Sequence, residues 1–196
     1  MSRGSSSSQT VDTAPTRRND AIADTLKTDK PIFRMLTLDA QNNPIGQVIN
    51  LYDRGDLDID PPYQRGQVWG QARKINLVRS LVMGLPIGSM FINRRSWIEP
   101  EVMVDGKQRM MAVREFFNDG FQVPSSWFRP EHVEGKGEMI FFSELSDPGQ
   151  LGLKNSSMLN VYHTNFEGET AEEQEKALFD LINFGGVPQG ESDLTE

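Results

Sequence analysis

The apolar positions of this chain fall into short runs and helical stripes separated by clusters of proline, glycine and small polar residues. Ile32 to Leu38 alternates apolar with less apolar residues and predicts a strand, with Asn42, Asn43 and Pro44 marking a turn after it. Ile45, Val48, Ile49 and Tyr52 then recur at i, i+3, i+4 and i+7, which predicts a short helix ending near Gly55. Leu57 to Asp60 reads as an extended segment running into Pro61-Pro62, where the fixed proline backbone stops any helix. The strongest helical stripe is Ala72 to Leu85, with Ile75, Val78, Leu81, Val82 and Leu85 on one face and Gly84 and Pro86 at its end. Ser89 to Asn93 and Val102 to Val104 are compact apolar strands, and from Lys107 onward Met110, Val113, Phe116 and Phe117 recur at helical spacing. Past the Asn118-Asp119-Gly120 turn, Phe121 to Leu153 holds so many prolines and glycines that it reads as loop, apart from a strand at Met139 to Phe142. Leu159 to Thr164 alternates as a strand. Thr170-Ala171-Glu172-Glu173 has the spacing of a capping box and opens a helix through Leu178, Leu181 and Ile182 that stops at Asn183 to Pro188. The order of these elements predicts an α+β fold, a small mixed sheet with packed helices.

Composition narrows this picture. Residues 1–30 are rich in Ser, Thr, Asp and Arg and nearly free of large apolar side chains, so they cannot bury enough surface to offset their ordering entropy. They are expected to form a disordered or partner-ordered arm, followed by one domain over residues 31–188 and a frayed acidic tail over 189–196. The formal net charge of −8 argues against a general nucleic-acid coat, whose affinity rests on neutralising phosphates. The lack of cysteine excludes disulfides, thiolate metal sites and a cysteine nucleophile. No apolar run approaches the roughly 20 residues of a membrane span, and no signal-peptide core is visible, so a soluble cytoplasmic protein with no membrane partner is expected.

The candidate chemistry centres on Asp105-Gly106-Lys107-Gln108-Arg109, between the Val102 strand and its following helix. A helix N-terminus carries partial positive charge and favours acidic side chains, so Lys107 and Arg109 in a first turn are unusual. Two readings stand. Backbone N–H groups, helix dipole and both cations converge on a bound phosphate-like anion, or the two cations are solvated or paired with nearby acids. A second candidate is the loop Tyr63-Gln64-Arg65-Gly66-Gln67-Val68-Trp69, dense in hydrogen-bonding groups, in which Tyr63 and Trp69 alternatively only plug the core edge. Arg73 and Lys74, in the first turn of the next helix, lie on the same expected phosphate side. His132 and His163 are isolated, a pattern that is more often structural than catalytic.

Taken in order, Pro-x-Tyr-Gln-Arg-x-x-x-Trp, a helix ending in Gly-Leu-Pro-Ile, Val-x-Val-Asp-Gly-Lys-Gln-Arg-x-x-Ala-Val and Phe-Asp-Leu-Ile-Asn-Phe-Gly-Gly-Val-Pro resemble the N-terminal domain of GmrSD-type modification-dependent restriction proteins. The resemblance covers roughly Ile32 to Pro188 and implies a ParB/sulfiredoxin-like domain that handles the phosphates of an NTP and couples hydrolysis to restriction of modified phage DNA. It places the Asp-Gly-Gln-Gln-Arg motif on Asp105, Gly106, Lys107, Gln108 and Arg109, and the Tyr-Gln-Arg motif on Tyr63, Gln64 and Arg65. The roles expected are Asp105, Gln108 and Arg109 in catalysis, and Gln64, Arg65, Gly106, Lys107 and Arg109 on phosphate. Tyr63, Trp69, Asn183 and Gly185 would support them, with Asn183 alternatively only capping its helix, and Asp105 would hold Mg²⁺ through water or alternatively only stabilise its turn. The expected ligands are an NTP with Mg²⁺, and the expected further partners are DNA or a host or viral protein. Lys107 departs from the pattern, because lysine suits phosphate but accepts no hydrogen bond and so cannot position a water as glutamine does. No His-Asn-His nuclease constellation is present. Larger relatives continue into a helical region and often a nuclease domain, whereas a single-domain protein is expected here, either an NTPase or a binding module of the same fold that has lost catalysis.

Overall fold

The computed structural model describes residues 36–64, 69–156 and 158–184, and the predicted N-terminal arm, Arg65 and Gly185 lie outside them. A mixed sheet of five strands organises the domain: β1 (Asp39–Pro44), β2 (Leu57–Asp58), β3 (Met90–Asn93), β4 (Glu101–Asp105) and β7 (Met158–Thr164). Their order is β1-β7-β3-β4-β2, with β1 antiparallel to β7, β7 parallel to β3, β3 antiparallel to β4 and β4 parallel to β2. Five helices pack with it among the described residues: α1 (Ile45–Asp53), α2 (Gln71–Val82), α3 (Lys107–Phe117), α4 (Asp147–Ser156) and α5 (Ala171–Phe184). The short strands β5 (Val123–Pro124) and β6 (Met139–Ile140) form a separate antiparallel pair. This is the α+β arrangement expected from the hydrophobic pattern. Among the described residues no helix is long and apolar enough to cross a membrane.

The middle strands are covered on both faces, which is why β4 reads as an unbroken apolar run rather than an alternating one. Met103 joins Met90, Ile92 and Val161 in the main core with Val48 of α1 and Met110, Val113 and Phe116 of α3. Val102 and Val104, equally buried, alternate to the other face, and α5 packs against this strand. The register between β3 and β4 pairs Ile92 with Met103 but Phe91 with Asp105. Val104 is therefore the extra residue of a bulge, a device that bends a strand and re-aims the side chain that follows. That side chain is Asp105.

Two predicted boundaries are corrected. The Asn42-Asn43-Pro44 turn is instead the end of strand β1, paired residue by residue with Asn160, Leu159 and Met158 of β7. An edge strand exposes one row of backbone groups, so a polar sequence and a terminal proline are tolerated where pairing and not propensity decides. The predicted strand at Ile32 to Leu38 falls mostly outside the described residues, and Leu36 to Leu38 lie in no strand. The second correction is α4, which occupies Asp147–Ser156 where the glycines and Pro148 suggested loop. Ser146 explains it: its Oγ accepts from the N–H of Gly149 at 3.4 Å and its carbonyl from the N–H of Gln150. This is N-cap chemistry with a proline in the first turn, where its missing N–H costs nothing.

Candidate functional site

The strand-to-helix turn after β4 is tight and turns on a single glycine. Gly106 is the N-cap of α3 at φ +117°, a backbone conformation closed to most side chains, and a Cβ there would lie 2.7 Å from Met90 Cγ. It contributes no side-chain cap, and the first helical hydrogen bond runs from the Met110 N–H to the Gly106 carbonyl. Lys107 and Arg109 therefore do stand in the first turn of α3, as the sequence predicts, with Gln108 half-buried between them.

Both cations have carboxylate partners. Lys107 is buried, and its Nζ donates to Asp60 Oδ1 across from the segment leaving β2. Asp60 is the solvent-facing member of that pair, its side chain 72% exposed against 9% for lysine. Arg109 folds back on its own turn, with Nη2 on Asp105 Oδ2 and Nη1 directed at the Ile87 carbonyl at 3.5 Å. Gly88 makes room for it: this glycine sits at φ +90°, and a Cβ there would come within 2.1 Å of Arg109 Nη1. Gly88 was not singled out from the sequence, although the Leu-Pro-Ile run that ends the preceding helix leads directly to it.

Two more of the predicted segments reach the same turn. Gln64 donates its side-chain amide to the carbonyls of Met103 at 2.6 Å and Val104 at 2.7 Å, the two residues before Asp105. Asn183, on the last turn of α5, points Nδ2 at Asp105 Oδ1 at 3.5 Å and also donates to the Phe179 carbonyl at 3.0 Å. Helix capping and contact with the site are thus both real for this residue. Trp69 lies under the guanidinium of Arg73, 4.1 Å from its carbon to the ring centroid, and Lys74 pairs with Glu115 of α3 at 2.6 Å. The basic first turn of α2, expected to face phosphate, is therefore engaged with protein groups.

Tyr63 leads to a cluster that sequence reasoning missed. Its hydroxyl donates to Glu175 Oε2 at 3.3 Å and its ring lies 5.8 Å from Phe179. Glu175 is fully buried on α5, yet Arg95 grips it with Nε on Oε1 at 2.7 Å and Nη2 on Oε2 at 2.6 Å. Asn93 Nδ2 adds a bond to Oε1 at 2.7 Å, while Asn93 Oδ1 accepts from the Thr164 hydroxyl and the Phe166 N–H. Burial, and next the negative charge of Glu175, push the Tyr63 phenol well above its ordinary range, so it remains a donor. One signal was legible. Ala171, Glu175 and Leu178 share the i, i+4, i+7 spacing of the buried face, so this glutamate occupies a core position amid an acidic run. His163 is buried in β7 with its pKa lowered, first by burial and then by Arg94, and its Nδ1 has no hydrogen-bond partner among the described residues. That fits a structural histidine.

Residues 45–196 match the family described as GmrSD restriction endonuclease, N-terminal domain. The chain belongs to that family. No curated protein and no solved structure matches it. For this GmrSD N-terminal domain, the match spans every described segment that meets at the β4–α3 turn, from Asp60 to Asn183. It relates the chain to restriction systems. Among the described residues no three His, Asp or Glu side chains cluster as a metal centre would require. A Mg²⁺ held here would rest on Asp105, whose oxygens are turned toward Arg109 and Asn183, together with the oxygens of a ligand.

Proposed function

We propose that this chain binds a nucleoside triphosphate at the β4–α3 turn, on a domain of the ParB/sulfiredoxin-like kind, and acts in the cytoplasm in phage–host conflict or DNA processing. The observation that carries this reading is convergence. Gln64, the Asp105–Arg109 turn and Asn183, from three separate stretches of sequence, meet around one glycine-capped helix N-terminus. Phosphate oxygens would take the N–H groups of that first turn, and Arg109 would exchange Asp105 for the ligand, since a guanidinium binds carboxylate and phosphate with the same fork. Asp105, so released, would meet Mg²⁺ through water. Arg65 and Gly185 belong to the same reading by their motifs.

The experiment is a thermal-shift series with each NTP and Mg²⁺. A rise in melting temperature with a nucleotide, abolished in Arg109→Ala, supports the proposal, and no shift with any nucleotide overturns it. Hydrolysis is a separate question. Gln108 is then the residue that orients water, because Lys107 accepts no hydrogen bond. The pairing of both cations with carboxylates favours a second reading, a catalytically inactive module docking on DNA or on a host or viral protein through the Tyr63 to Trp69 loop and the N-terminal arm. Phosphate release measured with and without DNA separates them: turnover above background supports the enzyme, and binding without turnover supports the module.

A further inference from the structure

Helix α5 touches the candidate site twice, and the two contacts lie eight residues apart on the same helix. Asn183 reaches Asp105 directly. Glu175 reaches it indirectly, since it holds the hydroxyl of Tyr63, and the next residue, Gln64, is bonded to the two carbonyls that precede Asp105. We infer that the Arg95–Glu175 pair, acting through Tyr63, is a positioning device that sets the Gln64 loop and α5 in register around the Asp105–Arg109 turn.

The arrangement of the bonds supports this over simple core stabilisation. Both oxygens of Glu175 are used, and Arg95 meets them with its two-pronged face, which fixes the carboxylate in direction as well as place. Asn93, at the end of β3, ties the same carboxylate to the sheet and to the Phe166 backbone, so the hub cannot rotate with α5 alone. The Tyr63 ring packs on Phe179, one turn before Asn183 on the same helix. Loop and helix are therefore registered against each other at three points: Glu175, Phe179 and, through Asp105, Asn183. A loop tethered only by apolar contacts could slide by fractions of an ångström, and the Gln64 amide would lose its aim. The function assigned to the device rests on the nucleotide reading, but its geometry does not.

The test pairs two measurements on Tyr63→Phe, which keeps the ring on Phe179 and the Arg95–Glu175 pair intact and removes only the hydroxyl. In the nucleotide-free protein, NMR of the Gln64 side-chain amide should show displaced resonances and exchange with water about three- to tenfold faster, the worth of one modest hydrogen bond. Nucleotide affinity should fall by a comparable factor. Ile140→Val, a core substitution in β6, serves as a control for lost stability and should alter neither readout. Arg95→Lys, which keeps the charge and loses the fork, should reproduce both effects, whereas Glu175→Gln risks misfolding. Unchanged Gln64 resonances in Tyr63→Phe and Arg95→Lys overturn the positioning role whatever the nucleotide does. Displaced resonances in both variants, together with a wild-type protein that binds no nucleotide, support the device and overturn the nucleotide reading alone.

Discussion

Arg109 and Arg95 both rest on a carboxylate, yet the two pairs are built for opposite ends. Arg109 and Asp105 are four residues apart on one turn, and each side chain keeps about a fifth of its surface in solvent. Arg95 and Glu175 come from positions 80 residues apart, the glutamate is dry, and Asn93 and Tyr63 use what hydrogen-bonding capacity the arginine leaves. The Arg109–Asp105 pair can trade one anion for another, because each of its partners keeps contact with water. The Arg95–Glu175 pair cannot, since its carboxylate has no access to solvent and breaking the pair strands that charge. The difference is one of exchangeability: both pairs join an arginine to a carboxylate, and only at Asp105 and Arg109 do both partners stay within reach of an incoming anion.

The largest effect that would sharpen this contrast is on stability. Glu175→Ala should cost about 3–5 kcal/mol in urea unfolding, because Arg95 and Asn93 lose a buried partner, whereas Asp105→Ala, whose partner Arg109 still reaches solvent, should cost less, about 1–2 kcal/mol. Equal costs would erase the distinction. Next comes Gly106→Ala, where the φ of +117° and the clash with Met90 should cost about 1–3 kcal/mol by the same measurement and abolish any nucleotide-dependent thermal shift. Gly88→Ala should act chiefly on binding, weakening nucleotide affinity about tenfold as Arg109 is pushed off its place. The smallest expected effect concerns pH. The folded protein holds His163 neutral below the ordinary histidine value of about 6.5. The unfolded chain thus binds more protons as pH falls below that value, and stability should decline from there toward acid, with the decline shallower in His163→Gln. Denaturation midpoints taken between about pH 7 and pH 5 check the slope.

Much of this was legible beforehand where local chemistry and tertiary fate agree. The β4–α3 turn announced itself through Asp-Gly and two misplaced cations, and the stripes of α1, α2, α3 and α5 were simple to read because each buries one face. Three features were not. Strand β1 is polar and exists because β7 offers it a partner, which no local pattern encodes. Helix α4 hid behind Pro148 and two glycines, although Ser146-Asp147-Pro148 is a start signal. Glu175 reads as a solvated acid until Arg95, Asn93 and Tyr63 are known to surround it, and partners that distant in sequence leave no periodic trace.

The Gln64 side chain has one more consequence. Strand β2 pairs with β4 only as far as Val102, and from there the Gln64 amide occupies the carbonyls of Met103 and Val104. Those are the acceptors an intruding chain would need in order to add itself to the sheet. A single side chain thus finishes the ladder that β2 leaves short. Gln64 thereby leaves two fewer open acceptors at the end of β4 for an incoming strand.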